Sequence, residues 1–227
     1  MTKSERLGGR VALVTGASRG LGAAVAKRLA AEGAHVVALA RTQGGLAETD
    51  DAIQAAGGKP ATLVQLDLKE PDAIDQMGAA LYQRFGKLDI LVGNAGVLGS
   101  LSPTGHYTKD VWAEVMATNL TANWRLIRCF DQLLRRSDAG RAVFVTCAQG
   151  RTHTPYWGAY AASKAALETL VNTYAAEVAE VSSLRVSLVD PGTMRTRLRA
   201  QAFPGEDPLK HPEPDERAGM VMDLAVA

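Results

Sequence analysis

Cysteine is nearly absent. Cys129 and Cys147 are the only two in 227 residues, and no CxxC or Cys/His ligand spacing accompanies them. That excludes a disulfide scaffold and a structural zinc site, and it fits free thiols in a reducing cytoplasm. An excess of either charge is missing too: 25 Lys and Arg stand against 24 Asp and Glu, a net +1. No field of one sign draws the chain to nucleic acid or to an anionic membrane. No apolar run approaches the roughly 20 residues that span a bilayer. The start, "MTKSERLGGR", lacks the apolar stretch of a signal peptide. Repeats, low-complexity tracts and linkers are lacking before residue 190. What remains is a chain that is 47% apolar. That suffices for one full core, and a single domain over 1–227 is expected.

Short apolar runs alternate with helical patterns. Candidate strands are Val11–Thr15, His35–Ala40, Ala61–Leu66, Leu88–Gly93, Ala142–Thr146 and Arg185–Val189. Runs such as "VALVT" and "VVALA" are continuously apolar, as parallel strands are when helices cover both faces. Helical stretches fall between them at Leu21–Glu32, Leu46–Ala56, Asp72–Phe85, Lys109–Arg136 (two helices, or one bent) and Tyr156–Val181. This rhythm predicts an α/β fold with a doubly wound parallel sheet. After Val189 the pattern breaks into a Pro- and Arg-rich segment with room for one short helix. At the carboxyl ends of parallel strands such a segment, about 191–212, is placed to act as a substrate lid.

"VALVTGASRGLGAAVAKRLA" joins the first strand to the first helix, with Gly16, Gly20 and Gly22 spaced GxxxGxG. Glycines there permit a tight turn and close backbone approach to a phosphate, and the helix N-terminus adds free N–H groups. A plain strand-to-helix turn is the alternative, but the position at the head of the chain favours a dinucleotide. A free ribose 2′-hydroxyl usually meets an acid about 20 residues further on. Here stand Ala40 and Arg41, with Arg19 inside the loop. Two guanidiniums suit a 2′-phosphate, so NADP(H) is expected over NAD(H). The alternative is that both are solvated surface arginines.

Tyr160 and Lys164 sit four apart in a helical run, on one face and one turn from each other. A tyrosine alone is a poor proton donor at neutral pH, and an ammonium beside it is expected to lower its pKa. Cys147 stands thirteen residues before the tyrosine.

Read together, these motifs resemble the short-chain dehydrogenase/reductase family, over residues 8–200. "TGASRGLG" looks like its TGxxxGxG loop, which implies cofactor contacts at Gly16, Ser18, Arg19, Gly20, Leu21 and Gly22. Asp67 in "LDL" is similar to its adenine-contacting Asp, with Leu68 beside it. "GNAG" resembles its NNAG element and implies contacts at Asn94, Ala95 and Gly96. Asn119 in "MATNL" and the "YAASK" pair, Tyr160 and Lys164, resemble its catalytic residues. "PGTMRT" resembles its nicotinamide-side loop, with Pro191, Gly192 and Thr196. The tail "RAQAFPGEDP" resembles a little-characterised bacterial branch of the family.

The resemblance implies strand order 3-2-1-4-5-6 with the usual seventh edge strand missing. It implies that Lys164 also grips the nicotinamide ribose and that Asn119 holds a water. It further implies a homodimer through the long helices Lys109–Arg136 and Tyr156–Val181. One departure bears on chemistry: the family's serine is Cys147 here. A thiol is the weaker donor. It could serve as a weakened donor, the reading favoured; Thr146 could supply a hydroxyl; or turnover could be lost. A buried structural thiol is the fourth possibility.

The leading expectation is therefore an NADP(H)-dependent oxidoreductase acting on a small carbonyl/alcohol pair. The competitor is a non-catalytic NADP(H)-binding or sensing protein. Several residues are not promoted. His153 reads as a solvated loop residue, Tyr156 and Trp157 as pocket wall or subunit contact, and Cys129 as core. Arg195, Arg197 and Arg199 read as a solvated helix face, with recognition of an acidic substrate as the alternative.

Overall fold

The computed structural model describes residues 6–227. Six parallel strands form one sheet in the order β3-β2-β1-β4-β5-β6. They are β1 (Val11–Thr15), β2 (His35–Ala40), β3 (Thr62–Gln65), β4 (Ile90–Gly93), β5 (Arg141–Val145) and β6 (Arg185–Val189). The expected fold and strand order are both present.

Alternation along each strand sends side chains to two separate cores. Ala12, Val14, Val36, Ala38, Ile90 and Val92 face α1 (Gly20–Ala31) and α2 (Gln43–Ala55). Val11, Leu13, Val37, Leu39 and Leu91 face α3 (Pro71–Phe85) and two longer elements. The first of these begins as α4 (Lys109–Met116), widens into a π turn at Ala117–Thr121 and continues as α5 (Ala122–Arg135). This settles the choice between two helices and one bent helix: the backbone stays helical throughout, with a wide turn inside it. A short α6 (Gln149–Thr152) then precedes α7 (Gly158–Ala179).

Strand order reverses direction between β1 and β4, which opens a crevice at the carboxyl ends.

The tail departs from expectation. It holds α8 (Arg197–Ala202), a 3₁₀ turn at Pro208–Lys210 and a further 13-residue helix, α9 (Pro214–Val226). Helix α9 lays Ala218, Val221, Met222 and Ala225 against the core beside α1. Its start is built from Pro214 in the first turn and a capping box between Glu213 and Glu216. Asp215 is bridged by Lys27 at 3.0 Å and Arg28 at 3.2 Å from α1. The signal lay in "EPDE" and in the i, i+3, i+4, i+7 spacing of its apolar residues.

Candidate active site

Thr15 ends β1 fully buried and ties the crevice together. Its Oγ1 donates to the Val92 carbonyl at 3.1 Å and accepts from the Asn94 and Ala95 N–H groups at 3.0 and 3.1 Å. Asn94 Nδ2 donates back to the Thr15 carbonyl at 2.8 Å. The glycine loop follows. Gly16 and Gly20 take positive φ, +67° and +57°, where side chains are strained. A Cβ on Gly22 would lie 2.3 Å from the Gly16 carbonyl oxygen. Helix α1 opens at Gly20 after Arg19, which supplies no side-chain cap. Its first N–H groups therefore face the cavity, with the positive end of the helix dipole behind them.

The cavity has a volume of about 560 Å³. It is lined by Gly16, Ser18, Arg19, Gly20 and Leu21, by Arg41, Asp67 and Leu68, and by Asn94, Ala95 and Gly96. Gly22 packs beneath the loop and is buried. These residues fit a dinucleotide: a glycine cradle no side chain could share, a helix N-terminus, and cations at one end. Arg19 and Arg41 are both exposed, and neither forms an ion pair among the described residues. Asp67 Oδ1 accepts from the Lys69 N–H at 3.0 Å, which fixes the carboxylate at the cavity edge.

The far end of the cavity holds the Tyr160–Lys164 pair on α7, with both side chains buried. The π turn brings Asn119 inward, fully buried. Its amide is committed to positioning. Oδ1 accepts from the Val97 N–H at 2.8 Å, and Nδ2 donates to the Val97 carbonyl at 2.9 Å and to Ser163 Oγ at 3.0 Å. Ser163 Oγ donates in turn to the Tyr160 carbonyl at 2.7 Å. Asn119 thus clamps the β4 loop to α7, a role for Ser163 that the sequence did not reveal. Lys164 Nζ donates to the Val145 carbonyl at 2.9 Å and lies 5.8 Å from the centre of the Tyr160 ring.

Proton affinities here differ from the expectation. Burial raises the Tyr160 phenol well above its usual value, and the Cys147 thiol and Asp190 add to the rise. Burial lowers the Lys164 ammonium, while Cys147, Glu168 and Asp190 pull it back up. The expected lowering of the tyrosine is not present, because desolvation of the phenolate outweighs an ammonium this far from it.

Cys147 was expected to end the fifth strand. Instead β5 stops at Val145, and Cys147 sits two residues beyond, in the turn, where it lines the cavity and packs in the cluster around Tyr160. Thr146 is no substitute donor: its Oγ1 donates to Glu168 Oε1 at 2.7 Å, away from the tyrosine.

The expected helical stretch Tyr156–Val181 is corrected at its start as well. Tyr156 takes φ +73° and is exposed, and α7 begins two residues later at Gly158. Trp157 is buried edge-on to Tyr160, centroids 5.8 Å apart, and 5.9 Å from Phe203. Leu98, Ala202 and Leu198 complete an apolar wall around the tyrosine. Pro191, Gly192 and Thr196 line the cavity. Thr196 caps α8 through the Arg199 N–H at 3.2 Å, and its methyl lies 3.7 Å from where a Gly20 Cβ would be. Two of the three arginines in the segment after β6 are paired. Arg199 bonds Glu206 at 2.7 Å and covers the Phe203 ring, and Arg195 reaches Glu213 at 3.4 Å. Arg197 is exposed. His153 is exposed, as expected. The described residues contain no group of three or more potential metal ligands, and none of their helices is long and apolar enough to cross a membrane.

Known proteins share this arrangement. Residues 10–207 match the family model described as short chain dehydrogenase. The chain is 37% identical over 210 residues to the uncharacterized oxidoreductase YciK of Escherichia coli K12, covering 92% of this chain and 82% of that one. It is 36% identical over 220 residues to an uncharacterized NAD-dependent oxidoreductase of Mycobacterium tuberculosis H37Rv, covering 91% and 79%. A solved short chain dehydrogenase from Escherichia coli CFT073, complexed with NADPH, superposes with a TM-score of 0.93 at 36% identity, covering 98% of this chain and 93% of that one. The matched span takes in the glycine loop, the Tyr160–Lys164 helix and the segment after β6, and the chain belongs to the short-chain dehydrogenase family of oxidoreductases.

Proposed function

We propose that the chain is an NADP(H)-dependent oxidoreductase that interconverts an apolar carbonyl compound and its alcohol. The observation that carries this reading is one cavity with a phosphate cradle at one end and a buried phenol beside a buried ammonium at the other. The relatives' names divide on the cofactor: three solved structures hold NADP or NADPH, and two relatives are named NAD-dependent. Arg19 and Arg41, exposed and without ion partners among the described residues, favour the 2′-phosphate, since each offers bidentate charge-assisted bonds.

The glycine loop, Arg19 and Arg41 would hold the dinucleotide, whose nicotinamide would supply or accept the hydride. The chain's own residues handle the oxygen. As a carbonyl is reduced, negative charge grows on its oxygen, and Tyr160 donates the phenolic proton there. The raised phenol keeps its proton through neutral pH but is the weaker acid for it, so donation depends on a nearby positive charge to stabilise the phenolate. Lys164 stabilises the phenolate left behind, and it also holds the nicotinamide ribose. Cys147 is a second, weak donor to the same oxygen. Asn119 holds the geometry by clamping the β4 loop to α7. Trp157, Leu98, Leu198 and Ala202 exclude water and accept an apolar substrate body. Arg199 is already neutralised by Glu206, which leaves it poorly suited to a carboxylate on the substrate. A protein that only bound the dinucleotide would have no chemical use for a proton donor held at this depth.

A homodimer through α4–α5 and α7 completes the reading; Trp112 and Trp124 are exposed on the first of these elements, at 41% and 45%. NADPH oxidation followed by absorbance over a panel of neutral ketones and aldehydes tests the function. Turnover that disappears in Tyr160→Phe supports it. Turnover that survives in Tyr160→Phe removes the assigned donor.

A further inference from the structure

Lys164 is a buried ammonium that, among the described residues, makes a single hydrogen bond, to the Val145 carbonyl. Burial disfavours its charge unless a counter-charge lies close. The groups around it come from five elements. Tyr160 and Glu168 lie on α7, Cys147 on the turn after β5, and Asp190 on the turn after β6. Arg151 comes from α6, and Asn119 from the π turn beyond Gly96.

Glu168 stands out among them. It follows Lys164 by one helical turn and its side chain is 15% exposed. Its Oε1 accepts from Thr146 Oγ1 and from Arg151 Nη1, both at 2.7 Å. Arg151 also reaches Asp190 at 3.5 Å. Thr146 directly follows Val145, whose carbonyl receives the Lys164 proton, and directly precedes Cys147. Helix α6 presses on Lys164 from the other side: a Cβ on Gly150 would lie 3.3 Å from Lys164 Cβ.

We propose that Glu168, held by Arg151, is the positioning residue for Lys164. Through Thr146 its carboxylate fixes the peptide turn that receives the ammonium and presents Cys147. Its charge offsets the burial of Lys164, so that the lysine stays protonated beside the phenol. Arg151 tunes that effect by sharing the carboxylate between two cations. This rests on the oxidoreductase reading for its purpose, but the ion-pair chain and the state of Lys164 are open to measurement without turnover.

The test is a pH titration of the full chain carrying ¹³Cε-lysine, followed by NMR. The Lys164 signal is assigned by its absence in Lys164→Met. Glu168→Gln keeps the size and the hydrogen-bonding oxygen but removes the charge. It should move the Lys164 midpoint down by about one pH unit. Arg151→Gln, at a 55% exposed side chain, should move it up by a smaller amount, because Glu168 then acts on Lys164 alone. Thr146→Val should leave the midpoint in place, and with a confirmed substrate it should lower kcat more than it raises KM. A Lys164 midpoint that stays put in Glu168→Gln, or falls in Arg151→Gln, overturns the proposal. Failure of the oxidoreductase reading would show separately, as absence of NADPH oxidation with these shifts intact.

Discussion

At the amino ends of the strands, Asp89 is fully buried and every partner it needs is at hand. Arg10 and Lys87 approach at 2.9 Å, Ser137 Oγ donates at 2.6 Å and the Val11 N–H at 2.8 Å. Arg10 is itself shared with Asp138. At the carboxyl ends, Lys164 is equally buried but bonds one carbonyl, Tyr160 faces a thiol, and Arg19 and Arg41 have no ion partner among the described residues. One end closes its charges on itself, and the other leaves donors directed at something outside the chain. The same sheet thus separates a stability device from a site.

Substitutions at the two ends should therefore fail in different ways. Tyr160→Phe should have the largest effect, a loss of about 10²–10⁴ in turnover. The melting temperature and the NADPH affinity by calorimetry should stay near those of the parent. Asp89→Ala should do the reverse. It removes one partner of the half-buried Arg10 and Lys87 and leaves the Ser137 hydroxyl and the Val11 N–H without their acceptor, at a cost of about 1–3 kcal/mol in denaturant unfolding. The NADPH affinity of the folded fraction should not change.

The pH response sharpens the contrast. Burial alone would raise the Asp89 carboxyl, but hydrogen bonds from Ser137, Val11, Lys87 and Arg10 hold it below its ordinary value. A depressed carboxyl contributes stability that is present above its unfolded pKa of about 4 and lost as pH falls through the folded value. Acid unfolding should thus weaken the parent more than Asp89→Asn, as read from denaturant midpoints between neutral and acid pH. At the other end, the raised phenol predicts reduction that is level through neutral pH and falls only on the alkaline side.

Smaller effects belong to the open cations and the thiol. Arg41→Asp should cost about tenfold in NADPH affinity and narrow or reverse the preference over NADH. Cys147→Ser should raise kcat a few-fold with little change in KM, since an O–H bond strengthens as charge builds on the substrate oxygen. If serine and alanine both behave like cysteine, position 147 does not touch the reacting oxygen.

The sequence made the carboxyl end legible because its chemistry rides on local spacing. The glycine loop needs three glycines between a strand and a helix, and the Tyr160–Lys164 pair needs one helical turn. Strand order followed from resemblance, and the continuous apolar runs agreed with it. Three features escaped. Helix α9 was masked by the Pro-rich stretch before it, although Pro214 and Glu216 are start signals rather than breakers. The apolar wall joins Leu98, Trp157 and Ala202 across a hundred residues of chain, and no periodicity records such contacts. The phenol's proton affinity was judged from the lysine alone, while burial, a property of the folded chain, decides its direction.

The most direct test of the central claim is a paired measurement on purified parent and Tyr160→Phe protein: NADPH affinity by calorimetry, and NADPH oxidation with a neutral aromatic ketone panel. The account predicts equal affinities in the two proteins, with turnover in the parent alone. Weak or absent NADPH binding in the parent, or equal turnover in both, would contradict it.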